Sequence, residues 1–245
     1  QDPAGPRPGA KHARWSVSIV KFVCLANSRK ITGRCVAGKD PEDPARWIRP
    51  VSARPEGELS EEERRYSDGR DPSLLDIVTV TVKGPAPKGC QTENYLIDED
   101  CYWLHGGRIA WTDLPGLEDT VTGPLWWNGD STRNGQNDRV PVGLADTFDY
   151  SLRFIHTPRL HLRVFAPSAD FGNPKRRVQA LFQVAGHEYR LWVTDPVVER
   201  QRLASPQEFH DVHEAYLTLS LGEPCPHDQC CYKLVAAILT PDRFR

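Results

Sequence analysis

The chain has 245 residues, 39% hydrophobic and 26% charged, with a formal net charge of −2, enough for one large β domain or two of roughly 100 residues, each burying a core. Its 18 glycines and 21 prolines argue for many short elements and against long helices. No apolar run approaches the roughly 20 residues of a membrane-spanning helix, and the near-neutral balance excludes attraction to nucleic acid by global charge.

Gln1–Ala13 is rich in Pro and Gly and is expected to form a disordered leader over 1–14, a signal peptide removed ahead of it staying open. From Trp15, WSVSIVKFVCLA reads as a strand by its β-branched and aromatic content, NSRK as a basic turn, ITGRCVAG as a second strand and WIRPVS as a third. Ser60 precedes EEERRY with Glu63 three residues on, a capping box that starts a helix. DIVTVTV alternates strictly and gives a fourth strand, and the stretch around ENYLID a fifth. The later half repeats this order. RLHLRVFA, RRVQALFQV and EYRLWVTD are three strands, VVERQRLA a helix opened by Asp195-Pro196, and YLTLSLGEP and CYKLVAAILT the last two strands.

Three strands, a helix and two strands is the order of an OB-fold, a small Greek-key barrel. The fold class expected is therefore mainly β: two OB-like five-stranded Greek-key barrels, each with a short helix, over 15–98 and 152–245, joined by a loop-rich aromatic connector over 99–151. The blocks LANSRK, GRC, WIRPVS, LLDIV, ENYLID, NGQNDRVP, VTDP and SLGEP followed by CYKLVAAI resemble those of an uncharacterised, mostly bacterial family described as a dual OB-containing domain. The resemblance spans nearly the whole folded chain. It implies the two-barrel fold and carries over no catalytic residue.

Chemical motifs fail one at a time. GRCVAGKD, Gly33–Asp40, has phosphate-loop spacing, but Asp40 stands where Ser or Thr is needed and Pro41 and Pro44 block the helix behind it. DSTRNGQND, Asp130–Asp138, imitates a calcium loop whose twelfth position is Pro141 instead of a bidentate Glu. Cys225, His227, Cys230 and Cys231 supply enough donors for zinc, yet their adjacency strains a tetrahedral site, so these thiols are expected to be metal-free. His210, His213 and Glu214 read as a polar surface turn. Seven irregularly spaced cysteines, an odd number, suit reduced thiols and a cytoplasmic location.

What remains is a positional argument. Charge is uneven: residues 27–54 carry seven Lys/Arg against three acids, and 153–202 carry nine against four. OB barrels bind oligonucleotides or sugars across their second and third strands and adjoining loops, with stacking aromatics and a cationic track. In the first barrel that face would offer Asn27, Ser28, Arg29 and Lys30 from the first turn, with Arg34, Lys39, Trp47 and Arg49 from the strands; Arg29, Lys30, Arg34 and Arg49 are expected to form one solvent-facing patch. In the second it would offer Arg176, Arg177, Arg190 and Trp192. The connector adds Tyr102, Trp103 and Trp111, then Trp126 and Trp127 as anchors, and Asn134, Asn137, Asp138 and Arg139 on a polar loop. Asn128-Gly129 and Asn134-Gly135 should reverse that loop. Its side chains either brace it or face a ligand in a cleft between the barrels, with Arg139 on a phosphate or carboxylate. The function expected is a nucleic-acid or nucleotide-binding module, with no cofactor, no metal and no membrane. Its alternatives are an enzyme acting on a nucleotide or modified base, centred on Asn134, Asn137, Asp138 and Arg139, and a protein-interaction scaffold.

Overall fold

The computed structural model describes residues 17–244, so the 1–14 leader and Trp15 lie outside the described residues. The chain is mainly β and divides into two compact units, Gln1–Leu117 and Glu118–Arg245.

In the first unit, β1 (Ser18–Lys30), β2 (Gly33–Lys39) and β3 (Trp47–Val51) precede a single helical turn, α1 (Glu61–Arg64), followed by β4 (Asp76–Pro85), β5 (Asn94–Ile97) and β6 (Leu104–Arg108). A 3-10 turn, Trp111–Leu117, completes it. The sheet runs β1-β2-β3-β5-β4 and β4 pairs back onto β1, so the five strands close into a barrel with β3 and β5 parallel. Period-two alternation sends Phe22, Val36, Ile48, Val78, Val80 and Val82 into its buried interior. The capping box is present: Ser60 accepts from the Glu63 amide at 3.3 Å and Glu63 accepts from the Ser60 amide at 2.7 Å.

The second unit begins with β7 (Arg139–Pro141) and α2 (Val142–Ala145), then β8 (Leu152–Thr157), β9 (Leu160–Phe165), a 3-10 turn at Ala169–Phe171, β10 (Arg177–Val184) and β11 (His187–Val193). The helix α3 (Pro196–Ala204) follows, then β12 (Phe209–Val212), β13 (Ala215–Pro224), β14 (Cys230–Leu239) and α4 (Pro241–Phe244). Asp195 caps α3 by accepting from Val197 and Val198 at 3.0 and 3.2 Å, with Pro196 at the first helical position. The sheet order is β12-β9-β10-β11-β14-β13-β8. The first OB strand is here two pieces: β8 pairs with β13, and β9 with β10. Pro158 stands between them and has no amide to continue the ladder.

Several expectations need correction. NSRK is the end of β1, not a turn: Asn27, Ser28, Arg29 and Lys30 pair with Val36, Cys35, Arg34 and Gly33, and the chain reverses at Ile31, whose φ is 46°. Ladder pairing overrides the local turn preference of Asn and Ser. The stretch 99–151 does not stand apart as a connector. Its early part contributes β6, paired with β4, and its later part contributes β7, paired with β14. In HDVHE, His210 lies in β12 and not in a turn.

Candidate ligand-binding face

The residues expected to form the first barrel's binding face are placed in two groups. Arg29 and Arg34 stand directly opposite one another at the tip of the β1–β2 hairpin, beside Lys30. Arg49 is not with them. It is 2% exposed and pairs with Glu93 at 2.9 Å: alternation puts it with Trp47 on the face opposite Ile48, and that face is covered too, Trp47 through Pro50 all being buried. Trp47 is buried under the Lys39 ammonium, 5.3 Å from its ring centre, and that ammonium donates to the Leu117 carbonyl at 2.7 Å. The Ser28 hydroxyl is buried and directed at Cys35, while the Asn27 amide donates to the Pro72 carbonyl at 2.8 Å. The single basic patch therefore does not form. Trp103, edge-on to Phe22 at 6.3 Å, and Trp111 are buried, and Tyr102 is half-buried.

The polar loop is a strap lying on its own barrel. Trp126 anchors its start, donating its indole N–H to Tyr150 O at 3.1 Å and stacking on the Tyr150 ring. Trp127 is half-buried, and its carbonyl accepts from Lys233 Nζ at 2.5 Å. In mid-strap, Gln136 exchanges both backbone hydrogen bonds with Arg190 of β11 at 3.3 and 3.2 Å, and Gln179 of β10 donates to Asn134 O at 2.7 Å.

The four polar strap residues brace. The Asn134 amide reaches Pro167 O at 3.4 Å, and that of Asn137 reaches Glu188 O at 2.9 Å. Asp138, 1% exposed, accepts from the amide and hydroxyl of Thr132 at 2.8 and 2.5 Å. Arg139 is held between Asp130 at 2.9 Å and Asp228 at 3.2 Å. Of the two turn dipeptides, Gly129 does take a positive φ, 144°, but neither residue of Asn134-Gly135 does; the left-handed residue there is Asn137, two positions on, at 52°. Gly135 serves differently: a Cβ there would lie 1.8 Å from Asp138 Oδ2.

Electrostatics follow from this bracing. The hydrogen bond to Asp130 holds the Arg139 guanidinium above its ordinary pKa. Tyr232 donates to Asp228; that bond pushes the phenol up to about 12 and holds the Asp228 carboxyl below the usual range. Lys233, 1% exposed, also donates to Asn128 Oδ1 at 3.0 Å; burial pushes its pKa down to about 7, opposed by Asp138.

On the outer surface of the second barrel the sheet register assembles an array that sequence reading found only in part. Phe209 of β12 faces Arg163 of β9, Arg163 faces Gln179 of β10, and Gln179 faces Trp192 of β11. Two residues along, Phe165 faces Arg177 on the same side. The Arg163 guanidinium lies 4.1 Å from the Phe165 ring centre and 5.6 Å from that of Phe209; Phe165 stacks on Trp192 at 5.7 Å, and Arg177 covers Trp192 at 4.1 Å. Phe171 is 75% exposed and Phe209 61% exposed, and Arg133 lies 5.3 Å from the Phe171 ring. A concavity of about 430 Å³ opens beside this array, with Trp192, Arg177, Arg133, Asn134 and Tyr232 in its lining.

Of the second-barrel residues expected on this face, Arg177 and Trp192 are in the array. Arg176 instead donates to Leu203 O at 2.6 Å, and Arg190, paired with Gln136 of the strap, lines a different concavity. Phe165, Arg163, Phe171 and Phe209 were missed; the alternation of RLHLRVFA was the available signal. Cys225, Cys230 and Cys231 are in no disulfide, and no cluster of three or more His, Cys, Asp or Glu suited to a metal occurs among the described residues. Nor is any helix among them long and apolar enough to cross a membrane.

A family model described as a dual OB-containing domain matches residues 20–238. No curated protein and no solved structure matches the chain.

Proposed function

The chain belongs to the dual OB-containing domain family, and on that premise we propose that it binds single-stranded nucleic acid, or a nucleotide, through the outer face of its second barrel. The observation that carries this reading is the arginine–aromatic array, Phe209–Arg163–Phe165–Trp192–Arg177, flanked by the exposed Phe171 under Arg133. The exposed rings of Phe209 and Phe171, next to the stacked pair of half-buried Phe165 and buried Trp192, offer stacking to any base, worth roughly 1–3 kcal/mol per base, and the interleaved guanidiniums attract the phosphates. OB-folds bind oligonucleotides across their second and third strands, here β10 and β11, and the loops beside them; β9, paired with β10, and β12, paired with β9, extend that face. The strap forms one wall of the concavity, so the braced residues Asn134 and Asp138 shape the site by positioning. Seven cysteines with no disulfide among the described residues support a reducing, cytoplasmic setting.

The test is a titration of single-stranded DNA, single-stranded RNA and duplex at several salt concentrations. Single strands should bind in preference to duplex, quench tryptophan fluorescence, and weaken with salt at a slope of about −0.7 per phosphate contacted. Absence of binding to every nucleic acid and nucleotide tried overturns the proposal.

A further inference from the structure

A second concavity, about 580 Å³, lies on the same outer surface, with Arg159, His161, Leu181, Glu188 and Arg190 in its lining. Its position follows from register. His161 faces Leu181, Leu181 faces Arg190, and Arg190 pairs with Gln136 of the strap. That row lies two residues along from the row of Arg163, Gln179 and Trp192, a step of about 7 Å along the strands. The two concavities are thus neighbours on one face, and the strap lines both, Gln136 in this one and Asn134 in the other.

Their chemistry differs. Around the aromatic array the arginines are paired, Arg163 with Glu208 at 3.1 Å and Arg133 with Asp170 at 3.0 Å. Arg159 and Arg190 are exposed, and neither guanidinium has an ion-pair partner among the described residues. Glu188, the carboxylate in the same lining, already accepts from the Gln136 and Gln183 amides, each at 3.2 Å, and His161 is engaged with Asp211 at 2.5 Å. Arg159 and Arg190 supply the positive charge of this concavity, offset in part by the Glu188 carboxylate, which neutral amides solvate without neutralising; no ring is exposed there, since Phe182 and Tyr189 are buried.

Building on the proposed function, we infer that Arg159 and Arg190 form a phosphodiester subsite next to the base-stacking array, so that the ligand is a single-stranded oligonucleotide and not a mononucleotide. Phe171 and Phe209, 75% and 61% exposed, offer separate ring faces to two bases, and Arg159 and Arg190 take the backbone as it passes the strap. A mononucleotide engages only part of this surface.

The experiment measures anisotropy of end-labelled single strands of two, four and eight nucleotides, with the wild type and with Arg159→Ala/Arg190→Ala. Both side chains are exposed and outside the array, so melting should not change. The wild type should bind the eight-mer at least tenfold more tightly than the dimer. The double variant should weaken the eight-mer about tenfold, lower its salt slope by about 1.4, the share of two phosphates, and leave the dimer unaffected. Equal wild-type affinity for all lengths, or an unchanged eight-mer slope in the double variant, overturns the subsite while leaving the face itself standing. If the wild type binds no strand of any length, the proposed function falls and the subsite with it.

Discussion

The two barrels share one strand order and close it by different means. In the first, β1 is a single strand that serves β4 with one half and β2 with the other, its irregularity absorbed by a bulge between Cys24 and Ala26. Its parallel seam has three pairs, Arg49–Asn94, Pro50–Tyr95 and Val51–Leu96, and is locked by the buried Arg49–Glu93 ion pair. In the second barrel the corresponding strand is broken at Pro158, and the seam between β11 and β14 has two pairs, Trp192–Leu234 and Val193–Val235. The strap supplies what that seam lacks, Gln136 pairing with β11 and Arg139–Pro141 with β14. Closure by ladder leaves Arg49, Trp47 and Lys39 inside the first unit. Closure by an inserted strap leaves concavities beside it in the second.

The most severe way to break this comparison is at the first seam. Arg49→Ala leaves Glu93, 7% exposed, as a buried charge without its partner; it should cost about 3–5 kcal/mol in denaturant titrations. A loss under 1 kcal/mol would mean that the seam does not need its lock.

The strap's own brace should be worth less. Asp138→Ala removes the acceptor for the Thr132 amide and hydroxyl, and should cost about 1.5–3 kcal/mol. Cleavage by a protease within residues 130–137 should accelerate in parallel. Unchanged cleavage would show the strap to be held by its ends alone.

A smaller effect, with a defined pH window, concerns Lys233. Its folded pKa is about 7 against an ordinary 10.5. Between those values the unfolded chain holds the extra proton, so stability rises with pH across that window and the contribution is flat below it; the slope is at most about 1.4 kcal/mol per pH unit. Lys233→Met should flatten this rise relative to the wild type between pH 7 and 10. Identical slopes in the two proteins would refute the assignment.

Least costly to the fold are Phe171→Ala and Phe209→Ala. Both rings are exposed, so stability should stay within about 0.5 kcal/mol, while binding of single strands should fall by about 1–3 kcal/mol for each ring. Melting curves and titrations on the same samples separate the two readouts.

Local chemistry made much of the architecture legible. Ser60 with Glu63, and Asp195 with Pro196, start their helices where the sequence places them, and strict alternation marks β4. β6, with two glycines in LHGGR, and β7, three residues long, carry no such pattern and exist because neighbouring strands offer them an edge. The burial of Arg49 depends on Glu93, 44 residues away in the chain, which no window around WIRPV contains. The array was hidden for the same reason: Phe209, Arg163 and Trp192 meet only through the register of three strand pairings. The polar strap could be read as bracing or as ligand-facing from composition alone, since Asn and Asp serve both uses.

The strap also sets a timetable for synthesis. The partners named outside the strap are made later than the strap itself: Glu188 follows Asn137 by 51 residues, Asp228 follows Arg139 by 89, and Lys233 follows Trp127 by 106. At about 5–20 residues per second, the ribosome needs roughly 5–20 s to deliver Asp228 after Arg139 has appeared. Through that interval the strap's carboxylates and amides are solvated and the second barrel lacks the edge that β7 will join. The first barrel, whose strands are all complete by Arg108, can fold in the meantime, so maturation of the ligand-binding face is tied to the arrival of the last strand.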